Sequence, residues 1–158
     1  MQNLTHLDKQ GRAKMVDVTD KPSTRREAVA VGLILMKPET LRLIQNKKVS
    51  KGDVLSVARV AGIMAAKKTG ELIPMCHPLN ITAVNIDFNL DNKKNTINIE
   101  AQVKITGQTG VEMEALTAVT VAALTIYDMC KSVDKEMVIR DIMLLEKRGG
   151  RSGVYKRK

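Results

Sequence analysis

Aromatic side chains are nearly absent from this sequence. Tryptophan does not occur, and Phe88, Tyr127 and Tyr155 supply the 2% of aromatic residues in a chain of 158. The core must therefore be aliphatic, helped by nine methionines whose flexible thioethers fill irregular gaps. The shortage also weakens one functional class, because RNA-binding sheets stack bases on aromatic residues.

Cysteine, histidine and long apolar runs are scarce as well. Cys76 and Cys130 match no disulfide framework or zinc spacing, and the two histidines are His6, which we expect to be solvated, and His77. We expect a reduced, cytoplasmic protein without a resident metal. The longest apolar run, residues 28–36, is too short to cross a bilayer, and the first residues lack a secretory pattern. No membrane partner is expected.

Acidic residues are missing from one end of the chain. The net charge is +9, and residues 147–158 contain six basic side chains and no acid. Such a balance favours an anionic partner such as a nucleic acid or a phosphorylated metabolite. A flexible solubilising tail is the plainer interpretation, and composition leaves both open.

The hydrophobic pattern predicts strand, helix, strand, strand, helix, strand. Residues 28–36 read as a strand covered on both faces, and residues 38–47 and 51–70 as helices, the second ended by Gly70. Two alternating strands follow near residues 84–90 and 97–105, then a long helix from 111 to about 133 and a strand at 137–145. This order predicts an α+β, ferredoxin-like fold with an antiparallel four-stranded sheet and its helices on one face.

The predicted domain organisation is a single domain over residues 1–158. Residues 1–27 are polar and mixed and form an N-terminal arm, and residues 149–158 form a basic, flexible tail.

The long helix is apolar all round its middle. No charge interrupts residues 115–127, whereas Glu112 and Glu114 open the helix and Asp128 and Lys131 close it. A helix of this kind has to be buried all round, which one short chain achieves with difficulty. Glu112 and Asp128 are about 24 Å apart along the helix axis, too far to share one small reacting centre. Both difficulties are solved if long helices of two copies run antiparallel across a two-fold axis.

Several polar groups could carry chemistry, each with a plainer alternative. Lys51, beside Gly52 at a helix start, suits a phosphate or is a surface lysine. Glu112 and Glu114 suit protonated ring nitrogens or favour the helix N-terminus. Asp128 and Lys131 share a helix face, as an acid–base pair with a lysine of lowered pKa or as a surface ion pair. His77, fixed between prolines, suits proton transfer or has a structural role.

Two segments resemble a known family closely. GDVLSVARVAGIMAAKKTGELIPMCHPL and TGVEMEALTAVTVAALTIYDMCK are similar to the cyclic pyranopterin monophosphate synthases of molybdenum cofactor biosynthesis, as are the opening THLDKQGRAKMVDVTDK and the closing KRGGRSG. The resemblance covers nearly the whole chain. It implies a ferredoxin-like fold, a hexamer built as a trimer of dimers, and active sites at the dimer interfaces.

The resemblance also implies a reaction and its residues. A cyclic 3′,8-dihydroguanosine triphosphate, supplied by a radical SAM enzyme, becomes cyclic pyranopterin monophosphate with release of diphosphate. Matching positions are catalytic (Asp128, Lys131, Lys51) or substrate-binding (Met75, Cys76, His77, Glu112, Met113, Glu114, Arg26), and Lys147 is a further candidate. The resemblance implies no cofactor, and the need for a divalent ion with the triphosphate is open.

Two other functions compete with the enzyme. The basic balance permits a nucleic-acid-binding ferredoxin-like module, although these strands offer only Phe88 for stacking. A regulatory assembly domain that senses a nucleotide is the second. Turnover of the cyclised nucleotide separates the enzyme from both.

Overall fold

A strand near the start of the chain lies in the middle of an antiparallel sheet. The computed structural model describes residues 7–8 and 10–158, so His6 lies outside the described residues. The elements are β1 Thr24–Leu35, α1 Pro38–Gln45, α2 Val54–Lys67, α3 Thr69–Leu72, β2 Ala83–Asp91, β3 Thr96–Gly107, α4 Glu112–Cys130, β4 Val138–Arg148 and β5 Tyr155–Lys156.

The five described strands form one sheet in the order β2-β3-β1-β4-β5, and every neighbouring pair is antiparallel. The order confirms the predicted α+β, ferredoxin-like arrangement, to which β5 adds a two-residue edge strand. Two boundaries differ from the sequence pattern, because β1 starts inside the predicted arm and β5 lies inside the predicted tail. The division into arm, domain and tail stays a prediction.

The core lies between the sheet and the helices. α4 contacts β1, β3 and β4, and α2 contacts α4 and β2. Along β1, Ala28, Ala30 and Ile34 are buried, whereas the alternate residues Val29 and Val31 are only half-buried. The prediction that this strand is covered on both faces is therefore wrong within one chain, because the helices cover a single face.

Small residues let the two long helices and the sheet approach closely. A Cβ at Gly62 of α2 would lie 2.5 Å from Ile86 Cδ1 and 2.9 Å from the Ala118 carbonyl oxygen of α4. Gly70 was expected to end α2, which ends earlier, at Lys67. It lies instead inside α3, where a Cβ would be 3.2 Å from Pro78 Cα, so its smallness makes room for the loop that carries His77.

α4 is the central helix of this packing. It is long and apolar enough to span a membrane by length and composition, with a mean hydropathy of 1.3, but one face lies against the sheet and α2. Ala115, Ala118, Val119, Ala122, Ala123 and Ile126 are fully buried. The opposite face is not covered, since Leu124 remains 52% exposed.

Candidate active site

A cavity of about 770 Å³ opens at the N-terminal end of α4. All seven residues predicted to bind substrate line it: Arg26, Met75, Cys76, His77, Glu112, Met113 and Glu114. They come from β1, from the loop after α3 and from the first turn of α4. The fold thus brings together three segments that are far apart in the sequence.

The glycine-rich entry to α4 holds protein side chains in this structure. The Arg26 Nε–H donates to the Gly107 carbonyl oxygen at 2.9 Å, which fixes the guanidinium at the cavity wall. A Cβ at Gly110 would collide with the Glu112 carboxylate. Gly110 therefore leaves the space into which the Glu112 side chain folds back, and a larger residue would displace that carboxylate.

The two glutamates of this first turn have contrasting environments. Lys147 Nζ lies 2.8 Å from Glu112 Oε1, and both side chains are about three-quarters buried. Glu114 is only 3% exposed and has no ion pair among the described residues. Burial, and to a lesser extent the charge of Glu112, raises the pKa of Glu114 to about 7. Glu112 is therefore paired with a lysine, while Glu114 can gain or lose a proton near neutral pH.

His77 is fixed by the segment that precedes β1. Its Nε2 lies 2.7 Å from the Val16 carbonyl oxygen, which can only accept, so Nε2 carries the proton and Nδ1 is left for another partner. The neighbouring Cys76 thiol has a raised pKa, first because of burial and then because of Glu114. It is therefore a neutral lining group rather than a nucleophile.

The three residues predicted to be catalytic meet at the other end of α4. Lys131 Nζ lies 2.7 Å from Asp128 Oδ1, and Lys51 Nζ lies 3.2 Å from Asp128 Oδ2 and 2.9 Å from the Asp128 carbonyl oxygen. Lys51 reaches this point from the turn before α2, whose N-cap is Asp53. None of the three lines the cavity.

This cluster is open to solvent within one chain. The side chains of Lys51, Asp128 and Lys131 are 44%, 58% and 53% exposed. Hydrogen bonds from Lys131 and then Lys51 lower the pKa of Asp128, and Asp128 in turn raises the pKa of Lys131. Within one chain the cluster has the geometry of the surface ion pair, the plainer of the two alternatives, and the hydrogen bond with Asp128 outweighs the slight burial of the Lys131 ammonium.

A buried carboxylate anchors the turn that carries Lys131. Asp134 is 1% exposed and accepts hydrogen bonds from Lys37 N at 2.8 Å, Thr40 Oγ1 at 3.2 Å and Glu136 N at 3.1 Å. It thereby caps α1, whose own N-cap residue makes no side-chain hydrogen bond. The turn that follows Lys131 is thus tied to the start of α1 by these hydrogen bonds.

Some residues at the cavity escaped prediction from the sequence. Lys21, Thr24, Gln108, Arg148, Arg151 and Ser152 line it, and Gln108 donates to the Lys21 carbonyl oxygen at 3.0 Å. The available signal was the density of basic residues near Gly149 and Gly150, which composition alone could not separate from a solvated tail.

No group of three or more His, Cys, Asp or Glu side chains within residues 7–8 and 10–158 is placed to hold a metal ion. Absence of a resident metal or cofactor stays a prediction, as does the need for a divalent ion with a phosphorylated substrate.

Comparison with known proteins gives a consistent result. The model of the MoaC family matches residues 15–150. A cyclic pyranopterin monophosphate synthase of Thermoanaerobacter sp. (strain X514) is 64% identical over 98% of each chain, and one of Pelotomaculum thermopropionicum is 63% identical over 100% of this chain and 93% of its own. A solved structure of a ferredoxin protease aligns with 66% of this chain and 10% of its own, at 16% identity and a TM-score of only 0.34.

Proposed function

The chain belongs to the MoaC family of molybdenum cofactor biosynthesis enzymes, which are lyases, and from that premise we propose its substrate and mechanism. The substrate is the cyclic 3′,8-dihydroguanosine triphosphate, and the products are cyclic pyranopterin monophosphate and diphosphate. The curated relatives carry the name of the synthase that makes this product.

The observation that carries the proposal is that the fold places the predicted residues in two groups at opposite ends of α4. Every residue predicted to bind substrate lines one cavity, and every residue predicted to be catalytic lies in one ion-paired cluster. The cavity volume of about 770 Å³ lies in the range of small-molecule sites. The cavity therefore has the size and the polar groups that substrate binding requires, and the cluster has the acid and the bases that proton transfer requires.

The cavity holds the substrate in this mechanism. Glu112, paired with Lys147, accepts hydrogen bonds from ring N–H groups, and Glu114 exchanges a proton near neutral pH. Arg26 and His77 hold phosphate oxygens and stabilise the charge that develops when diphosphate leaves. Met75, Cys76 and Met113 provide the less polar walls.

The cluster moves protons. Opening the guanine ring, closing the pterin ring and closing the cyclic phosphate each require a proton to be taken up or released. Asp128 and Lys131 form the acid–base pair, and Lys51 holds Asp128 and contacts phosphate. Enclosure in the assembled enzyme would desolvate Lys131 and lower its pKa towards neutrality.

Two copies of the chain complete each site. Glu112 and Asp128 begin and end one continuous helix, so one chain holds them about 24 Å apart. The outer face of the helix layer is apolar, with Val57, Val60 and Met64 of α2 and Leu124 of α4 each at least 45% exposed. An antiparallel neighbour would bury this face and bring its Asp128 cluster to the cavity. The assembly is a homohexamer built as a trimer of dimers.

The proposed setting follows from the substrate. A radical SAM enzyme that cyclises GTP supplies it, and the enzyme acts in the cytoplasm without a nucleic-acid or membrane partner. The nucleic-acid alternative is weakened further by the surroundings of Phe88. The described strands contain two aromatic residues, Phe88 and Tyr155, and the Arg59 guanidinium lies 5.4 Å from the ring centroid of Phe88. Phe88 is thus already engaged by α2.

The direct test supplies the cyclised GTP intermediate to the assembled protein and measures both diphosphate and the cyclic phosphate product. Both should appear in equal amounts. A well-folded oligomer that forms neither product would remove the proposal.

The shared site is tested by mixing two inactive variants, Glu112→Ala and Asp128→Ala. Random mixing should restore about a quarter of the wild-type rate, because half of the dimers are mixed and each has one intact site. Mixing Glu112→Ala with Glu114→Ala is the matched control, since both changes fall in the same half-site and no intact site forms. Recovery in neither mixture, with subunit exchange verified by mass spectrometry, would overturn the proposal that two chains complete each site.

A further inference from the structure

The segment that precedes β1 forms part of the cavity wall, although it belongs to no helix or strand. We name residues 16–21 the strap, and its two apolar residues, Val16 and Val18, line the cavity. Both are half-buried, whereas Asp17 and Thr19 are exposed. The strap therefore turns one edge towards the cavity and the other towards solvent.

Two side chains attach the strap to the rest of the molecule. At one end the Val16 carbonyl oxygen lies 2.7 Å from His77 Nε2. At the other end the Gln108 side-chain amide donates to the Lys21 carbonyl oxygen at 3.0 Å and to the Thr19 carbonyl oxygen at 3.3 Å. Among the described residues, the strap backbone makes no other hydrogen bond to a residue outside the strap. Its hydrogen-bonded attachment therefore depends on these two side chains.

The strap is held together internally between its two attached ends. Asp17 Oδ1 accepts hydrogen bonds from Thr19 N at 2.9 Å and from Thr19 Oγ1 at 2.7 Å. Lys21 N donates to the Val18 carbonyl oxygen at 2.9 Å. Turns of this kind fix a short segment without strand pairing. A displacement of one attached end is therefore passed on to the other.

The contact with the strap fixes the ring of His77. Because a carbonyl oxygen only accepts, His77 Nε2 carries a proton and spends it on Val16. Rotation of the ring would break this hydrogen bond, so Nδ1 is presented in one direction. Functional histidines are commonly oriented by the hydrogen bond of one ring nitrogen, and here a backbone carbonyl of the strap supplies it.

We propose that Gln108 is a positioning residue that acts on His77 through the strap. The Gln108 amide has two hydrogens, and the two strap carbonyl oxygens accept both, so Gln108 positions the strap rather than contacting a ligand. The strap in turn holds the imidazole through Val16. Only the consequence for turnover rests on the proposed function, because the coupling between the two side chains exists without a ligand.

The first test follows the Nε2–H proton of His77 by nuclear magnetic resonance in the assembled full-length protein, without ligand. The sequence has two histidines, so His6→Gln assigns the signal. Gln108→Met removes both donors at similar length and should speed exchange of this proton with water about tenfold, the factor expected for lost hydrogen bonds of ordinary strength. Gln45→Met is the matched control, because its amide donates to Asn92 outside the cavity. Equal exchange rates in the two variants, or a proton that is unprotected in the wild type, would overturn the proposal.

The second test asks whether the strap transmits the effect. Asp17→Ala removes the acceptor of both Thr19 hydrogen bonds and should speed exchange of the same His77 proton. Asp17→Asn keeps an oxygen acceptor but loses the charge, and should exchange at close to the wild-type rate. Equal acceleration by both changes would show that the charge of Asp17 acts on the ring, and would overturn transmission through the strap.

The third test connects the strap to the proposed reaction. With the cyclised GTP substrate, Gln108→Met should lower kcat/KM about tenfold, but less than about twofold in a protein that already carries His77→Ala, because no ring is left to position. Mass spectrometry of single-turnover product measures the slow variants. Effects that multiply would show that Gln108 acts independently of His77 and would overturn the proposal. Faster proton exchange in Gln108→Met, in a protein without turnover, would remove the reaction and leave the positioning.

Discussion

The two ends of α4 carry acidic groups in opposite surroundings. At the N-terminal end Glu114 is 3% exposed, and burial raises its pKa to about 7. At the C-terminal end Asp128 is 58% exposed, and hydrogen bonds from Lys131 and Lys51 lower its pKa. One end is shaped by removal from water and the other by pairing with cations.

The difference shows which end is complete within one chain. The cavity at Glu114 already has walls, a fixed histidine and a lysine–glutamate pair. The cluster at Asp128 has its cations in place but no enclosure, so the proton chemistry proposed for it requires a second surface. Four changes break or sharpen this contrast.

Removal of the acid at the exposed end should have the largest effect. Asp128→Asn should lower the rate of product formation about 100- to 10,000-fold, the range for loss of a general acid–base group. Stability should change little, because the carboxylate is solvated in the single chain. Diphosphate release measures the rate, and light scattering checks assembly. Wild-type turnover by this variant would show that the cluster is a surface ion pair.

Removal of the buried carboxylate of Asp134, next to the exposed end of α4, should lower the stability of the protein. Asp134→Ala leaves the Lys37 N–H, the Glu136 N–H and the Thr40 hydroxyl without their acceptor, and should cost about 3 kcal/mol of unfolding free energy. Denaturant titration measures it. Thr40→Val, which removes only the longest of the three hydrogen bonds, serves as the control and should cost less. Equal costs would show that capping of α1 is not what Asp134 provides.

Neutralising the buried end should change how stability depends on pH. The pKa of Glu114 is raised in the folded protein, so its carboxyl costs nothing below the unfolded value of 4.5 and destabilises increasingly as pH rises through about 7. Glu114→Gln should therefore gain stability relative to wild type between pH 5 and pH 8, by about 2 kcal/mol. Denaturant midpoints at the two pH values measure it. A difference that is flat with pH would mean that Glu114 is ionised throughout.

The smallest effect is expected where the buried end has its lysine. Lys147→Met removes the ammonium that lies 2.8 Å from Glu112 Oε1, so the carboxylate loses the contact that holds it in the cavity, and the rate should fall about tenfold, the effect of one charge-assisted hydrogen bond. Diphosphate release measures the rate, and Lys156→Met is the control from the same end of the chain. Equal rates of the two variants would separate this ion pair from catalysis.

Much of this architecture is readable from the sequence. The periods of the alternating strands and of the long helix are strong enough to predict the order of elements, and the family resemblance names the candidate residues at both ends of α4. The missed features depend on contacts between distant segments. Asp134 reads as a polar turn residue until α1 is seen above it, and Arg151 reads as part of a solvated tail until Gly149 and Gly150 are seen against Arg26.

The pKa values could not be read from the sequence either. Glu112 and Glu114 are two residues apart, yet one faces Lys147 and the other is enclosed, because side chains two positions apart on a helix point about 200° apart. The sequence left Lys131 open between an enclosed lysine of lowered pKa and a surface ion pair, and only the structure shows that its side chain is 53% exposed in the single chain.

The tight packing of α4 has a consequence for how the chain can change in length. Gly62 of α2 packs against the Ala118 carbonyl oxygen of α4, and Gly32 of β1 packs against the Val119 side chain. Because neither contact has room for a Cβ, α4 cannot shift or rotate relative to α2 and the sheet. One inserted residue would rotate Asp128 by about 100° relative to Glu112 and move it about 1.5 Å along the axis. α4 thus fixes both the distance between Glu112 and Asp128 and the angle between their directions around the helix axis. We expect the hairpin turn between β2 and β3 to tolerate insertions, whereas α4 should tolerate substitutions but no insertion or deletion.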